Sequence, residues 1–335
     1  VTPRKVPVTA IAAPRRRASA ASPPARLTDL HAALAAWFAR EALDLPWRAA
    51  DRTPWGVLVS EIMLQQTPVV RVLPAWEEWM RRWPHPSDLA AEPAGEAVRA
   101  WGRLGYPRRA LRLHAAATVI TREHDGELPT TEEGLLALPG VGTYTAAAVA
   151  AFAFGGRATV VDTNIRRVHA RLIGGEALPA PSLTAAEQRR AAALLPEDRA
   201  ESVVWNAAAM ELGALVCTAR SPRCSECPVA ADCAWLAAGE PAPTYTPRGQ
   251  AWHGTDRQVR GAIMAVLRAA EHGVPRALLD DSALATVSDS AADGVGPAVA
   301  RLKALQAGPE QRERALAGLL ADGLAVDADG VLRLP

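Results

Sequence analysis

All four cysteines of this 335-residue chain, Cys217, Cys224, Cys227 and Cys233, lie in a single C-x6-C-x2-C-x5-C run. A disulfide framework spreads its cysteines through a chain, whereas thiols clustered in one loop point to a metal centre. Four thiolates at this spacing wrap either one tetrahedral zinc or one cubane iron–sulfur cluster. Zinc ribbons use two separated C-x2-C knuckles. This run has one, with a single cysteine on each side, which favours a 4Fe–4S cluster. Four buried apolar cysteines are a poor alternative, because Arg220, Pro222, Arg223, Glu226 and Pro228 make the segment a polar loop. Those arginines also stand where a loop can offer cations to phosphates.

The body around this loop reads as helical. Hydrophobic residues make up 49% of the chain but aromatics only 5%, and much of the remainder is alanine, the best helix former. Leu30, Leu34, Trp37 and Phe38 follow the spacing of an amphipathic helix. Thr53-Pro54 has the form of an N-cap followed by proline in the first turn, opening a helix through Val57–Leu64. Pro68 either continues that helix or starts a new turn. Further helices are expected over 70–82, 86–91, 94–102, 107–123, 131–138, 143–154, 163–173, 184–195 and 201–215, with no convincing strand alternation, so the body is all-α. No apolar run is long enough for a membrane span, and Val6–Ala13 is too short and interrupted for a signal segment. A cytoplasmic protein is expected.

The formal charge is only +1, but it is unevenly spread. Residues 1–26 hold Arg4, Lys5, Arg15, Arg16, Arg17 and Arg26 with no acid, and read as a disordered basic tail. Its functional alternative is a weak phosphate-binding arm. Residues 239–254 are a linker by composition. Residues 255–335 carry a net −2 and read as a small domain, with helices near 256–271, 275–280 and 310–322. Asp329-Gly330 between apolar runs signals a terminal hairpin, so this piece is expected to be winged-helix-like.

Between two helical patterns lies Leu138-Pro139-Gly140-Val141-Gly142. The glycines allow a tight turn that exposes amides at the start of the next helix, a site for a phosphate. With the following Thr-Ala, the string is similar to the helix–hairpin–helix DNA-binding motif of the endonuclease III superfamily of DNA glycosylases. The cysteine spacing resembles the cluster loop of the same superfamily. There the cluster orders a DNA-facing loop; a redox role is the competing idea, which spacing does not separate.

Bifunctional members of that superfamily place a nucleophilic lysine two residues after the last hairpin glycine. Tyr144 stands there, and no lysine occurs between Lys5 and Lys303, so an amine-driven lyase step is not expected. The run Ser60-Glu61-Ile62-Met63-Leu64-Gln65-Gln66-Thr67 resembles the signature of MutY-type adenine glycosylases, which remove adenine mispaired with 8-oxoguanine. The resemblance makes Glu61 the general acid–base, and an apolar helix setting would keep it protonated near neutral pH. Asp162, in Val161-Asp162-Thr163-Asn164, has the form of a helix N-cap. The resemblance also makes it the anion that stabilises the oxocarbenium-like sugar, with Asn164 assisting. The target base must leave the duplex. The family's residues matching Gln66 and Tyr106 fill and wedge the gap, Trp47 and Arg48 match the adenine pocket, and Leu64 belongs to the same base-contacting set. Trp47 is equally readable as ordinary core.

The resemblance spans about Leu27 to Leu236 and implies a two-lobed body: 27–50 with 155–238 as the cluster lobe, and 51–154 as the hairpin-bearing lobe. The usual MutY-type C-terminal domain is Nudix-like with a Phe-Ser-His loop for 8-oxoguanine. Residues 255–335 have neither, and look more like the short C-terminus of actinobacterial members. The expected function is a monomeric, monofunctional adenine glycosylase acting on double-stranded DNA with A opposite 8-oxoguanine or G, with one 4Fe–4S cluster. The alternatives are a thymine- or other-mismatch glycosylase and a non-catalytic iron–sulfur DNA-binding module.

Overall fold

The computed structural model describes residues 23–246, 249, 251–280 and 295–335. Most of the expected basic tail lies outside the described residues. Its last part does not: Pro23 and Pro24 open the first helix, where proline's fixed φ and missing N–H are tolerated.

Helix α1 (Pro23–Glu41) is followed by a single 3-10 turn at Pro46–Arg48. A group of consecutive helices comes next: α2 (Pro54–Leu64), α3 (Val69–Arg82), α4 (Pro86–Ala90), α5 (Ala94–Trp101), α6 (Arg108–Glu123), α7 (Glu132–Leu136) and α8 (Thr143–Phe152). The chain then returns to α1 through α9 (Thr163–Leu172), α10 (Ala185–Leu194), α11 (Arg199–Leu215) and the short α12 (Ala234–Ala237). Here α11 packs on both α1 and α9, and α12 and α10 pack on α9. In the other group α2 is central, touching α3, α6 and α8. Its residues Trp55–Met63 are all buried, the mark of a helix enclosed on every side. It starts as expected, with the Thr53 side chain accepting from Gly56 N at 3.0 Å, and stops at Leu64. Pro68 caps α3 rather than prolonging α2.

The C-terminal piece comprises α13 (Asp256–Ala269), β1 (Val274–Pro275), α14 (Ala277–Asp280), α15 (Val295–Lys303), α16 (Pro309–Ala321), β2 (Val326–Ala328) and β3 (Val331–Arg333). Its sheet is antiparallel in the order β1-β3-β2, a winged-helix-like arrangement. The hairpin turns at Asp329 (φ 54°) and Gly330 (φ 79°), the two positive φ values of the favoured two-residue turn. Two elements were not anticipated. β1 is too short to show alternation, and α15 begins Val-Gly-Pro, whose glycine hides the helical pattern. The piece is fastened to α5: Gly95 N donates to Pro335 O at 2.7 Å, Arg268 Nε to Val98 O at 3.0 Å, and Arg99 Nη1 to Ala270 O at 3.1 Å.

Candidate active site and DNA-facing surface

Glu61 sits in the last two turns of α2 at 5% exposure. The start of α8 brings Tyr144 to it, and the Tyr144 hydroxyl donates to Glu61 Oε2 at 2.6 Å. Burial pushes the Glu61 carboxyl up to about 7; the Tyr144 hydrogen bond and Arg48 oppose this, and the negative charge of Asp162 adds to it. Tyr144 is raised well above the usual phenol value, chiefly by burial, so it stays a neutral donor.

Asp162 performs the N-cap role its position suggested. Its Oδ1 accepts from Ile165 N at 2.6 Å, and its Oδ2 accepts from Asn164 Nδ2 at 2.9 Å. Burial pushes this carboxyl up too, against those donors and the Arg167 charge, which pull it down. Glu61, Tyr144, Asp162 and Asn164 are therefore brought into one site. Arg167, not singled out in the sequence, braces it: Nη2 donates to Asn164 Oδ1 at 2.8 Å and Gly213 O at 2.6 Å, and Nε to Cys217 O at 2.7 Å. Helix α9 crosses α11 so closely that a Cβ on Gly213 would lie 2.7 Å from Asn164 Cβ.

Arg48 and Trp47 are held differently from each other. Arg48 forms a two-pronged pair with the nearly buried Glu211, at 3.2 and 3.0 Å. Glu211 also accepts from Leu43 N at 2.8 Å. Trp47 is buried, edge-on to Trp76 with ring centroids 5.5 Å apart. The ordinary-core reading thus describes Trp47: packed this way, it shapes a wall and offers no open ring face for stacking.

Gln66 and Tyr106 are exposed neighbours. Arg109 donates to Gln66 Oε1 at 2.9 Å and lies over the Tyr106 ring at 4.5 Å. Both have positive φ, 58° for Gln66 and 47° for Tyr106. A side chain in that region is uncommon and costs about 1 kcal/mol or more, so the fold holds both there against local preference. Leu64, at the end of α2, is half-buried beside them.

The hairpin sits between α7 and α8. Gly140 has φ 76°, and a Cβ there would strike Arg112 Cβ at 2.5 Å. Gly142 faces open space and caps α8 with no side-chain hydrogen bond, which leaves the first amides of α8 without a side-chain cap. Val141 corrects the sequence reading. Its side chain is buried, and its N–H donates to Leu138 O at 3.2 Å. It anchors the turn, and it has neither a free amide nor an exposed side chain for DNA.

The four cysteines are free of disulfides and half-buried. Arg171 ties their loop down, with Nη1 3.4 Å from Cys217 Sγ and 2.7 Å from Thr218 O, and Nη2 3.1 Å from Ala219 O. Burial and the other cysteines push the Cys224 and Cys227 thiols up. Four half-buried thiols gathered in one loop, two of them pushed up by burial and by their cysteine neighbours, form a donor set that suits a cationic centre. Among the described residues, no three His, Cys, Asp or Glu close on a single ion.

A helical body with a phosphate-type hairpin, a buried carboxylate pair and a four-cysteine loop defines a base-excision DNA repair protein. The HhH-GPD superfamily base excision DNA repair protein family matches residues 59–192, and the iron-sulfur binding domain of endonuclease III matches residues 217–233. A solved thermostable thymine-DNA glycosylase shares the fold, with TM-score 0.58 and 28% identity over 64% of this chain and 98% of that one. The adenine DNA glycosylase of Mycobacterium tuberculosis (strain H37Rv) is 49% identical over 315 residues, 93% of this chain and 95% of that protein. That of Mycolicibacterium smegmatis is 48% identical over 298 residues, 89% of this chain and 93% of that protein. The chain belongs to the adenine DNA glycosylases, enzymes of base excision repair that hydrolyse the N-glycosyl bond of adenine, and carries their iron–sulfur domain.

Proposed function

We infer that the substrate is adenine opposite 8-oxoguanine or guanine in double-stranded DNA, and that the enzyme acts as a monomer and leaves the strand intact. One observation carries the cleavage chemistry: a carboxyl with a pKa of about 7 is buried beside a second carboxyl that has more donors. The proton then resides on Glu61 and the anion on Asp162, the split that glycosidic cleavage needs.

The adenine leaves the stack, and Gln66 and Tyr106 enter the space it vacates. Glu61 protonates the ring. The C1′–N9 bond breaks with its electron pair going to the base, and Asp162 faces the resulting cation. Water adds at C1′ and returns a proton to the carboxylate. Arg48, held by Glu211, sets the charge near Glu61. The amides opening α8, after Gly140 and Gly142, take a backbone phosphate. Cys217, Cys224, Cys227 and Cys233 hold the 4Fe–4S cluster, which when bound cross-links the loop that Arg171 braces. With Tyr144 where a lysine would stand and no lysine between Lys5 and Lys303, the catalytic body offers no lysine amine for a Schiff base. Among the described residues no helix is long and apolar enough to cross a membrane; DNA in the nucleoid is the working place.

The likeness to a thymine-DNA glycosylase supports a second reading, thymine release from T:G pairs. One assay separates them. The purified protein is given duplexes with A opposite 8-oxoguanine, A opposite G, T opposite G, and uracil, each with and without hot alkali. Adenine loss revealed only after alkali is expected. Strand breaks without alkali, or release of thymine in preference to adenine, would sink the reading.

A further inference from the structure

Five described residues other than glycine have positive φ: Gln66, Tyr106, Asp125, Glu240 and Asp329. Four of them stand beside a glycine that already turns the chain: Gly105 (φ 91°) before Tyr106, Gly126 (φ 82°) after Asp125, Gly239 (φ 81°) before Glu240 and Gly330 (φ 79°) after Asp329. Gln66 has no such neighbour. It lies between Gln65 and Thr67, just past the end of α2. A long side chain held at φ 58° costs about 1 kcal/mol or more, and some contact must offset it.

That contact is Arg109. Its Nη2 donates to Gln66 Oε1 at 2.9 Å and its Nη1 to the Gln65 carbonyl, while its guanidinium covers the Tyr106 ring at 4.5 Å. Its own backbone N–H donates to Tyr106 O at 2.9 Å. One residue thus spans two loops distant in sequence, residues 65–68 after α2 and residues 102–107 after α5. Thr67 Oγ1 stitches the same loops on the buried side, donating to Leu104 O at 3.2 Å. Gln65 Nε2 ties the first loop to Thr145 Oγ1 of α8 at 3.2 Å.

Arg109 is badly placed to serve the fold alone. It stands in the first turn of α6, where the helix dipole disfavours a cation. It is half-buried, and burial together with the Arg112 charge depresses its basicity. Its side-chain hydrogen bonds go to neutral oxygens, and no carboxylate pairs with it among the described residues. A cation kept there to grip two exposed side chains points to a task beyond packing.

We propose that Arg109 is a positioning residue for base flipping, holding Gln66 and Tyr106 in their inserting arrangement before DNA arrives. This rests on the glycosylase reading, in which those two side chains fill the gap that the adenine leaves. A wedge assembled in advance adds no ordering cost at the moment the base leaves the stack. Without the guanidinium, Gln66 relaxes toward negative φ and Tyr106 loses its cover, so each encounter must first rebuild the wedge. The acid chemistry is separate, because Arg109 takes no part in the hydrogen bonds or charges that set Glu61.

The test uses the full-length, cluster-loaded protein carrying Glu61→Gln, so that a flipped adenine is not cut. The duplex has adenine opposite 8-oxoguanine, with 2-aminopurine as the next base on the adenine strand. Its fluorescence rises when the neighbouring base leaves the stack. In stopped flow at saturating protein, Arg109→Ala should slow that rise by about 10- to 100-fold, as expected for loss of a charged hydrogen bond to an inserting side chain. Arg109→Lys keeps the charge and the reach without the planar fork, so it should fold like its parent and be slowed to a similar degree. Gln66→Ala should also slow the rise. Gln66→Ala with Arg109→Ala should lose less than the product of the two single losses, because both act through one contact. The slope of log affinity on log salt should stay constant throughout, since Arg109 holds protein and not phosphate.

An unslowed rise in both Arg109→Ala and Arg109→Lys overturns the proposal. So does a slope lowered by about 0.9 in Arg109→Ala and restored in Arg109→Lys, which would make Arg109 a phosphate contact. Losses that multiply in the double variant would make it a general prop of the loops and overturn the proposal equally. Failure of the glycosylase reading shows separately: protein with Glu61 intact releases no adenine, or Gln66→Ala alone leaves the rise unchanged.

Discussion

A carboxylic acid can donate a proton only while it still holds one, and Glu61, at about 7, holds its proton up to neutrality. Excision at saturating DNA should therefore be flat at acid pH and fall above about pH 7, by about tenfold per unit. Glu61→Gln should abolish adenine release while duplex binding is retained. The same shift acts on stability. The folded state keeps a proton that the unfolded chain releases near 4.5, so stability declines as pH rises from there to about 7. Glu61→Gln removes that loss and should be more stable than wild type at about pH 8, by up to about 3 kcal/mol, read by parallel denaturant titrations. Tyr144→Phe removes a donor that favours the ionised form, so the fall in rate should move to higher pH. A profile that keeps its midpoint in Tyr144→Phe would separate the hydroxyl from the acid. Glu61 was legible because it interrupts an apolar helix run, and Asp162 because it stands at an N-cap. Arg109, Arg167 and Glu211 were not, because their partners lie up to 168 residues away and only the fold brings them together.

At the scale of elements, the site depends on two glycines that do opposite jobs. Gly213 lets the start of α9 lie against α11, and Gly213→Ala would put a methyl 2.9 Å from Asn164 O as well as against its Cβ. The helix must shift, at a cost of about 1–3 kcal/mol, and Asp162 and Asn164 shift with it. Lower melting temperature and a loss of single-turnover rate at saturating DNA are expected together. Gly142→Ala has open space and φ −101°, so it should fold as well as the wild type. Its added methyl stands where the hairpin meets a phosphate, so it should weaken duplex binding. Equal melting temperatures for wild type and Gly213→Ala would mean that α9 is not set by this contact. The hairpin was readable because L-P-G-V-G is contiguous. The need for Gly213 was not, since nothing local distinguishes it from any helical glycine. The α2 to α11 helices and α13 lay close to their expected spans because caps and prolines mark their ends, as Thr53-Pro54 does, whereas the four-residue α12 was not anticipated. β1 escaped because two residues carry no period.

The whole molecule joins its cluster loop to its chemistry through arginines. Arg171 grips the carbonyls of Thr218 and Ala219, and Arg167 grips that of Cys217 while holding Asn164 beside Asp162. Such anchors hold only while the loop has one shape. An arginine brought this far into the protein is costly once its acceptors disperse, and burial already depresses Arg167. Removing the iron should therefore do more than loosen residues 217–233. Arg167 would be left to find other partners, Asn164 would lose its brace, and the carboxylate facing the sugar would lose its fixed orientation. The α2 to α8 helices pack chiefly on one another and should remain. The expected result of gentle oxidative loss of the cluster, followed by its visible absorbance, is a folded protein with most of its helical circular dichroism. Its adenine excision should fall in step with the bleaching even on duplex at saturating concentration. Reconstitution with iron and sulfide should restore both signals. If bleached protein keeps its excision rate at saturation and loses only affinity, the loop serves DNA binding alone and the arginine link to Asp162 has no part in the chemistry.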